Sequence, residues 1–162
     1  MDLGSVLIGL GTLLVFMVPV YWLQQSGKRN KLKRIKFLRE KADAGGAELG
    51  EVACWSGNYC LAIDTSGTTL FYSNQNNLEQ PFQKIALQDK MRCKVVTDSR
   101  TLKNGKETVK VIDRIKLHFE HKKPGIAPDQ IVIFDSDTDP SISDQMVLAE
   151  EWQQRISVLL YK

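Results

Sequence analysis

The chain has 162 residues, and about 110 of them remain for one compact domain once an N-terminal apolar stretch and a basic segment are set aside. This length favours one soluble domain over two. The net charge of +3 is unevenly distributed, since residues 28–41 contain eight basic residues and one acidic residue, whereas residues 42–162 carry a charge of −3. A nucleic-acid-binding domain usually carries its positive charge on the fold itself, so we expect no nucleic-acid partner.

The N-terminal stretch Leu3–Leu23 has 21 residues without a charge. As an α-helix it would span about 30 Å, the thickness of the hydrocarbon core, which predicts a transmembrane anchor over residues 1–25. Tyr21 and Trp22 are predicted as membrane-interface anchors. A cleaved signal peptide is the alternative, but no basic residue precedes the stretch and no A-x-A-like site follows it.

The flanks of this stretch predict its orientation. Basic residues follow it on the C-terminal side and none precede it. The positive-inside rule therefore predicts a single-pass protein of the inner (cytoplasmic) membrane, with its N-terminus outside and its C-terminal domain in the cytoplasm.

Residues 26–50 are predicted to form a basic juxtamembrane arm and a linker. Leu32, Ile35 and Leu38 recur at a spacing of three, which predicts one apolar helix face surrounded by cations. The arm is interpreted as a solvated flank that fixes topology, and also as a segment that contacts anionic lipid. The residues assigned to this membrane-surface contact are Lys28, Arg29, Lys31, Lys33, Arg34, Lys36 and Arg39. The small residues 42–47 predict a flexible linker.

Alternating apolar and polar residues between turn signals predict antiparallel strands from residue 51 onward. The candidate strands are Glu51–Ser56, Tyr59–Asp64, Thr68–Ser73, Ile85–Thr97, Thr108–Glu120 and Ile131–Phe134, and the clearest hairpin turn is Asn104–Gly105. Ile112 and Asp113 break the alternation of their strand, which predicts a bulge or a bend there.

After the last strand the apolar period changes to three and four residues. Asp139 and Pro140 suit the N-cap and the first position of a helix. The apolar positions Ile142, Met146, Ala149, Trp152, Ile156 and Leu159 predict an amphipathic helix of about five turns near the C-terminus. Antiparallel strands followed by one terminal helix predict an α+β fold.

The order of CLAIDTSGTTLFYSN, QPFQKIALQDKMRCKVVTD, IDRIKLHFEH, P-x-x-I-V-I-F and A-x-E-W resembles the bacterial PH-like domains of membrane-anchored proteins. The resemblance covers residues 51–162. It implies a PH-like antiparallel β-barrel capped by a C-terminal α-helix, with Trp152 filling the core. It also implies a binding or scaffolding module, without implying phosphoinositide binding, and a fold alone does not fix a function.

Three cysteines, Cys54, Cys60 and Cys93, are an odd number without C-x-x-C spacing. This count favours reduced thiols in a reducing compartment over a disulfide scaffold. One bridge together with one free thiol remains the alternative.

The acidic run Asp135-x-Asp137-x-Asp139 is typical of a calcium loop. However, Pro140 and Met146 stand where an EF-hand needs glycine and glutamate, so no metal site is predicted. The acids are instead expected to complement the N-terminus of the last helix.

His118 and His121 lie three residues apart on one predicted strand, so their side chains should point to opposite faces. We therefore predict two surface residues and no shared metal. The sequence has no Walker loop, no G-x-G-x-x-G and no local nucleophile motif, and we expect neither an enzyme nor a cofactor.

The sequence therefore predicts a membrane-anchored interaction or scaffolding module, which presents its domain to a protein partner or to its own copy. The first alternative is an anionic-lipid-binding module that uses the basic arm and the barrel. The second is a metal-dependent enzyme or sensor built on the aspartates and histidines.

Overall fold

The computed structural model of the chain describes residues 29–56, 58–76, 81–104, 107–139 and 141–161. Two helices and seven strands are seen in these residues. In chain order they are α1 (residues 29–44), β1 (Leu49–Trp55), β2 (Tyr59–Asp64), β3 (Thr69–Asn74), β4 (Phe82–Ala86), β5 (Lys90–Asn104), β6 (Glu107–His121), β7 (Asp129–Asp135) and α2 (Gln145–Leu160).

The strands form two separate antiparallel sheets. One has the order β1-β2-β3-β4 and the other the order β5-β6-β7. The predicted piece Ile85–Thr97 is divided, because a 3-10 turn at Leu87–Asp89 separates β4 from β5. No backbone ladder joins the two sheets within the described residues, so the predicted closed PH-like barrel is wrong.

The main core lies between the two sheets and under α2. Leu61 and Leu70 of the first sheet meet Leu117 and Ile131 of the second sheet in this cluster. Trp152 of α2 is only 1% exposed, so the prediction that it fills the core is confirmed. The core is therefore closed by side chains of both sheets and of the last helix.

Two hydrogen bonds across the core tie the sheets together. Trp55 Nε1 donates to the Ile133 carbonyl at 2.7 Å, and the Tyr72 hydroxyl donates to the Val132 carbonyl at 2.6 Å. The β6–β7 register shifts beside Ile133, which takes this residue out of the regular pairing. A bulge thus presents β7 carbonyls to the donors of the opposite sheet.

The helix α2 begins later than the sequence indicates. Asp144 occupies its N-cap position and Gln145 is its first residue, whereas Asp139 accepts the backbone N–H of Asp135 at 3.0 Å. Pro140 lies outside the described residues. Ala149, Trp152 and Ile156 form the buried stripe of α2.

The outer face of the first sheet is covered by α1. A second cluster joins Leu38 and Ala42 of α1 to Cys60, Ala62 and Phe71 of the sheet. The predicted flexible linker at residues 42–47 is therefore wrong, because it contains the last turn of α1 and the capped exit of the chain toward β1.

The end of α1 is a Schellman motif. Gly46 has φ +70°, its N–H donates to the Asp43 carbonyl at 2.9 Å, and the Ala47 N–H donates to the Ala42 carbonyl at 3.0 Å. Only glycine adopts this left-handed conformation without steric cost. The motif turns the chain directly into β1.

The long strands β5 and β6 run together past the end of β7. Asp98 pairs with Arg114, whereas Ser99 pairs with Ile112, so Asp113 is an extra residue and the predicted bulge is confirmed. β7 pairs only with residues 114–119 of β6. Beyond Arg114 the hairpin continues as a two-stranded ribbon, here called the β5–β6 ribbon, formed by residues 99–104 and 107–112.

The cysteines form one bridge and leave one free thiol. Cys54 of β1 is joined to Cys60 of β2 by a disulfide, so the prediction that reduced thiols predominate is wrong and the alternative is found. Cys93 is free and buried. Burial raises the pKa of its thiol to about 12.

The predicted transmembrane helix at Leu3–Leu23 falls outside the described residues. In the part of the chain that the structure describes, no helix has both the length and the apolar composition needed to cross a bilayer. On this finding, the prediction of a single-pass inner-membrane protein with a cytoplasmic domain is corrected.

Candidate functional site

The position of α1 on the first sheet decides which of its side chains are available. Arg34, Leu38 and Ala42 are buried, at a spacing of four residues that places them on one helix face. The predicted apolar face of Leu32, Ile35 and Leu38 is thus rotated, because Ile35 is only partly buried and Leu32 is exposed. This buried stripe, formed by residues 34, 38 and 42, packs on the sheet through Leu38 and Ala42.

Aromatic rings fix one flank of this contact. Phe37 of α1 meets Phe82 of β4 edge to face at 6.4 Å between ring centroids, and Phe82 stacks on Phe71 of β3 at 6.2 Å. Lys41 lies over Phe37 at 5.7 Å, and Lys84 lies over Phe71 at 5.9 Å. These contacts pack α1 against β3 and β4, so its outward face has a defined position.

The outward side of α1 carries exposed cations around one exposed leucine. We call this surface the cationic face and define it by Arg29, Leu32, Lys33, Lys36 and Arg39. Leu32 is 66% exposed. Lys36 lies 3.9 Å from Glu40, and an exposed pair of this kind adds little stability. The cationic face is therefore a surface of positive charge with an apolar centre.

The structure separates the residues predicted to contact a membrane surface. Arg29, Lys31, Lys33, Lys36 and Arg39 are exposed. Arg34 is buried, and desolvation lowers the pKa of its guanidinium. Lys28, Tyr21 and Trp22 lie outside the described residues, so their predicted roles stay predictions.

Sequence reasoning missed the side chains that hold the cationic face in place. Ala42 was placed in a linker, and Phe82 belongs to the strand β4, which the alternation did not reveal. A signal was present, because residues 34, 38 and 42 follow the helical repeat. Because Arg34 occupies one of these three positions, a search for apolar residues alone does not find the buried face of α1.

A second polar cluster joins the start of β5 to β6 and β7. The side chain of Lys90 is 4% exposed, lies 2.9 Å from His121 Nε2 and forms an ion pair with Asp129. His121 Nε2 is itself 3.3 Å from Asp129 Oδ2. The predicted surface location of His121 is therefore wrong. The cluster therefore cross-links the strands β5, β6 and β7.

The aspartates predicted as an alternative calcium loop are held by protein groups. Arg114 Nε lies 2.9 Å from Asp135 Oδ2, and Arg114 Nη2 lies 3.1 Å from Asp137 Oδ2. Asp139 is buried and accepts a backbone N–H. No group of three or more acidic, histidine or cysteine side chains is arranged to hold a metal ion among the residues that the structure describes.

Comparisons of the chain with protein-family models, with curated proteins and with solved structures find no match. The resemblance to bacterial PH-like domains therefore stays a prediction from the sequence. The geometry of the described residues is what remains to support a function.

Proposed function

We propose that the protein is a non-enzymatic interaction module whose cationic face binds an acidic surface of a partner protein. The observation that carries the proposal is the docking of α1, whose apolar stripe covers the first sheet while its cations point outward. The charge contrast supports it, because residues 28–41 are strongly basic and residues 42–162 carry −3.

The exposed leucine favours a protein partner over a bare polyanion. Leu32 stands among Arg29, Lys33 and Lys36 and is 66% exposed. Protein interfaces combine an apolar centre with arginine and a polar rim. A nucleic-acid phosphate backbone is bound through charge and hydrogen bonds, and it gives such a leucine no apolar partner. The complementary surface is therefore acidic with an apolar contact at its centre.

The lipid-binding alternative is not favoured by the packing of α1. An amphipathic helix binds a lipid surface by burying its apolar face among acyl chains. In this protein Leu38 and Ala42 of that face are buried against Cys60, Ala62 and Phe71. Insertion would first require α1 to leave the sheet.

A photo-crosslinking experiment tests the proposal in cells that naturally produce the protein. Benzoylphenylalanine replaces Leu32 in the cationic face and, as a matched control, Val158 of α2, which is 62% exposed. We expect a discrete protein adduct from position 32 and none of the same mass from position 158. We further expect K33E/K36E to abolish the adduct, because the reversed charges repel an acidic partner.

The charge-matched control is K110E/K123E, which reverses two exposed lysines outside α1. This variant should retain the adduct. The proposal fails if position 32 gives only lipid or nucleic-acid adducts, if it gives none, or if K33E/K36E leaves the protein adduct unchanged.

A further inference from the structure

The disulfide Cys54–Cys60 lies directly beneath α1. The two cysteines are register partners on β1 and β2, with Cα atoms 4.1 Å apart. Their neighbours Trp55 and Tyr59 belong to the main core, whereas Cys54 and Cys60 belong to the cluster that contains Leu38 and Ala42. The bridge is therefore part of the surface on which α1 rests.

The two cysteines of the bridge differ in exposure. Cys54 is half-buried and lies on β1, the outer strand of its sheet, whereas Cys60 lies on an inner strand and is fully buried. Cys54 is thus the more exposed of the two cysteines, so we assign the attack of an incoming thiolate to its sulfur. This asymmetry defines which bond forms first in thiol–disulfide exchange.

The bridge is poorly placed to act mainly as a structural staple. Cys54 and Cys60 are six residues apart in sequence, and a cross-link over a short loop removes less chain entropy than one over a long loop. Four register pairs besides that of the two cysteines join β1 to β2, and Trp55 anchors β1 to Ile133. Stabilisation of the β1–β2 hairpin therefore does not by itself explain why the Cys54–Cys60 bridge lies under α1.

We infer that Cys54–Cys60 is a thiol-exchange site for a dithiol reductant, and that its reduction loosens α1 from the first sheet. This inference rests on the proposed function, because α1 carries the cationic face. Reduction thereby regulates the binding of the acidic partner.

The exchange proceeds in two balanced steps. A thiolate of the reductant attacks Cys54 Sγ and forms a mixed disulfide, while Cys60 leaves and takes up a proton. The second thiol of the reductant then attacks the reductant sulfur that is bonded to Cys54 Sγ. This releases Cys54 as a thiol and leaves the reductant as an internal disulfide. Two electrons and two protons reach the chain.

Packing couples this chemistry to α1. The two sulfurs lose their covalent bond on reduction and must move apart to van der Waals distance. Cys60 lies in a close-packed cluster with Leu38, Ala42 and Phe71, where extra volume is poorly tolerated. β1 also loses its cross-link, and β1 follows α1 after one short turn. The element that yields is α1.

Tryptic cleavage of the full chain reports the docking of α1 without any partner. The helix contains several lysines and arginines, and a docked helix is cleaved slowly. We expect treatment with dithiothreitol to speed cleavage within residues 31–39 roughly tenfold, and reoxidation to restore protection. C93A should respond like the wild type, whereas C54A/C60A, which has no bridge to reduce, should be cleaved at the same rate with and without reductant.

Two results would overturn the inference. One is unchanged cleavage after reduction when mass spectrometry shows two additional alkylated thiols per chain. The other is the finding of three free thiols in protein alkylated during lysis of its native cells. Reversible reduction of the wild type keeps the test valid if C54A/C60A fails to fold.

The same samples separate this inference from the proposed function. If α1 loosens on reduction but oxidised protein gives no protein adduct at position 32, only the proposed partner is lost. If the adduct forms equally in both redox states and cleavage does not change, only the redox inference is lost.

Discussion

Asp64 shows how one buried carboxylate organises the β2–β3 turn. Its oxygens accept from Ser66 Oγ at 2.6 Å, from the Thr68 N–H at 2.8 Å and from the Thr69 N–H at 3.0 Å. Desolvation by itself would raise the pKa of Asp64, but the hydrogen bonds from Ser66, Thr69 and Thr68 outweigh it and lower the pKa. The charged form is therefore the one that the turn stabilises.

This predicts a pH-dependent stability difference between the wild type and D64N. At pH 7 we expect D64N to lose about 2 kcal/mol, because charge-assisted hydrogen bonds are replaced by weaker ones. The folded pKa is depressed, so the contribution is complete above the unfolded value of about 3.9 and is lost as pH falls through the folded pKa.

Urea unfolding at a series of pH values measures this difference. D43N, which alters an exposed carboxylate on α1, should change stability by less than about 0.5 kcal/mol. A gap between wild type and D64N that persists undiminished at pH 2, or is absent at pH 7, contradicts the assignment.

Single residues also mark where sequence reasoning reached its limit. The core position of Trp152 was implied by the resemblance to PH-like domains, and it agrees with the place of this residue on the apolar face of an amphipathic helix. The burial of His121 could not be predicted, because it depends on Lys90 and Asp129, which come from two other strands. The Cys54–Cys60 bridge likewise depends on the β1–β2 register, and a count of cysteines carries no information about register.

At the scale of elements, the bulge at Asp113 inverts the facing of the strand β6. Val109 and Ile115 have the same sequence parity, yet their partners Leu102 and Thr97 have opposite parity on β5. The side chains of Val109 and Ile115 therefore lie on opposite faces. Val109 is 49% exposed, whereas Ile112 packs against the main core.

A pair of alanine substitutions tests this inversion. We expect I112A to destabilise the protein by about 1–2 kcal/mol, since it removes partly buried methylene and methyl groups. V109A should change stability by no more than about 0.5 kcal/mol. Thermal or urea unfolding gives both values, and a larger loss for V109A than for I112A would mean that the strand has no bulge at Asp113.

The elements themselves were predicted unevenly. Tyr59–Asp64 was predicted with both of its ends, because clear turn signals bound it on each side. β4 was not predicted as a separate strand. The 3-10 turn at Leu87–Asp89 contains no Gly or Pro, so the sequence there indicates one continuous strand. The start of α2 was predicted too early in the chain. Asp139 fits the N-cap pattern, but its carboxylate accepts the backbone N–H of Asp135 instead.

For the whole molecule, the main consequence of the structure is that α1 belongs to the folded unit. We expect L38A to destabilise α1 docking by about 2–4 kcal/mol, because Leu38 is fully buried on the first sheet. L32A removes an equally large side chain from the exposed side and should cost no more than about 0.5 kcal/mol. Hydrogen exchange of the α1 amides measures both.

Equal effects of L38A and L32A, or none from either, would show that α1 does not rest on the sheet. The docking was not predicted from the sequence, because a helix rich in cations is typical of a solvated segment and the spacing of residues 34, 38 and 42 was overlooked. The sequence does not show that Ala62 and Phe71 lie together on the outer face of the first sheet. Once they are placed there, this apolar face needs a second element to bury it, and α1 does so.

The β5–β6 ribbon presents an open strand edge. Beyond Arg114 the outer edge of β6 has no neighbouring strand in the part of the chain that the structure describes, and such an edge can template cross-chain stacking into fibrils. Lys110 is exposed on this edge, and Arg100 faces Asp113 across the ribbon at 3.2 Å. Stacking copies in register would bring lysine against lysine. The exposed charge of Lys110 therefore opposes the pairing of this open edge with a second copy of the chain.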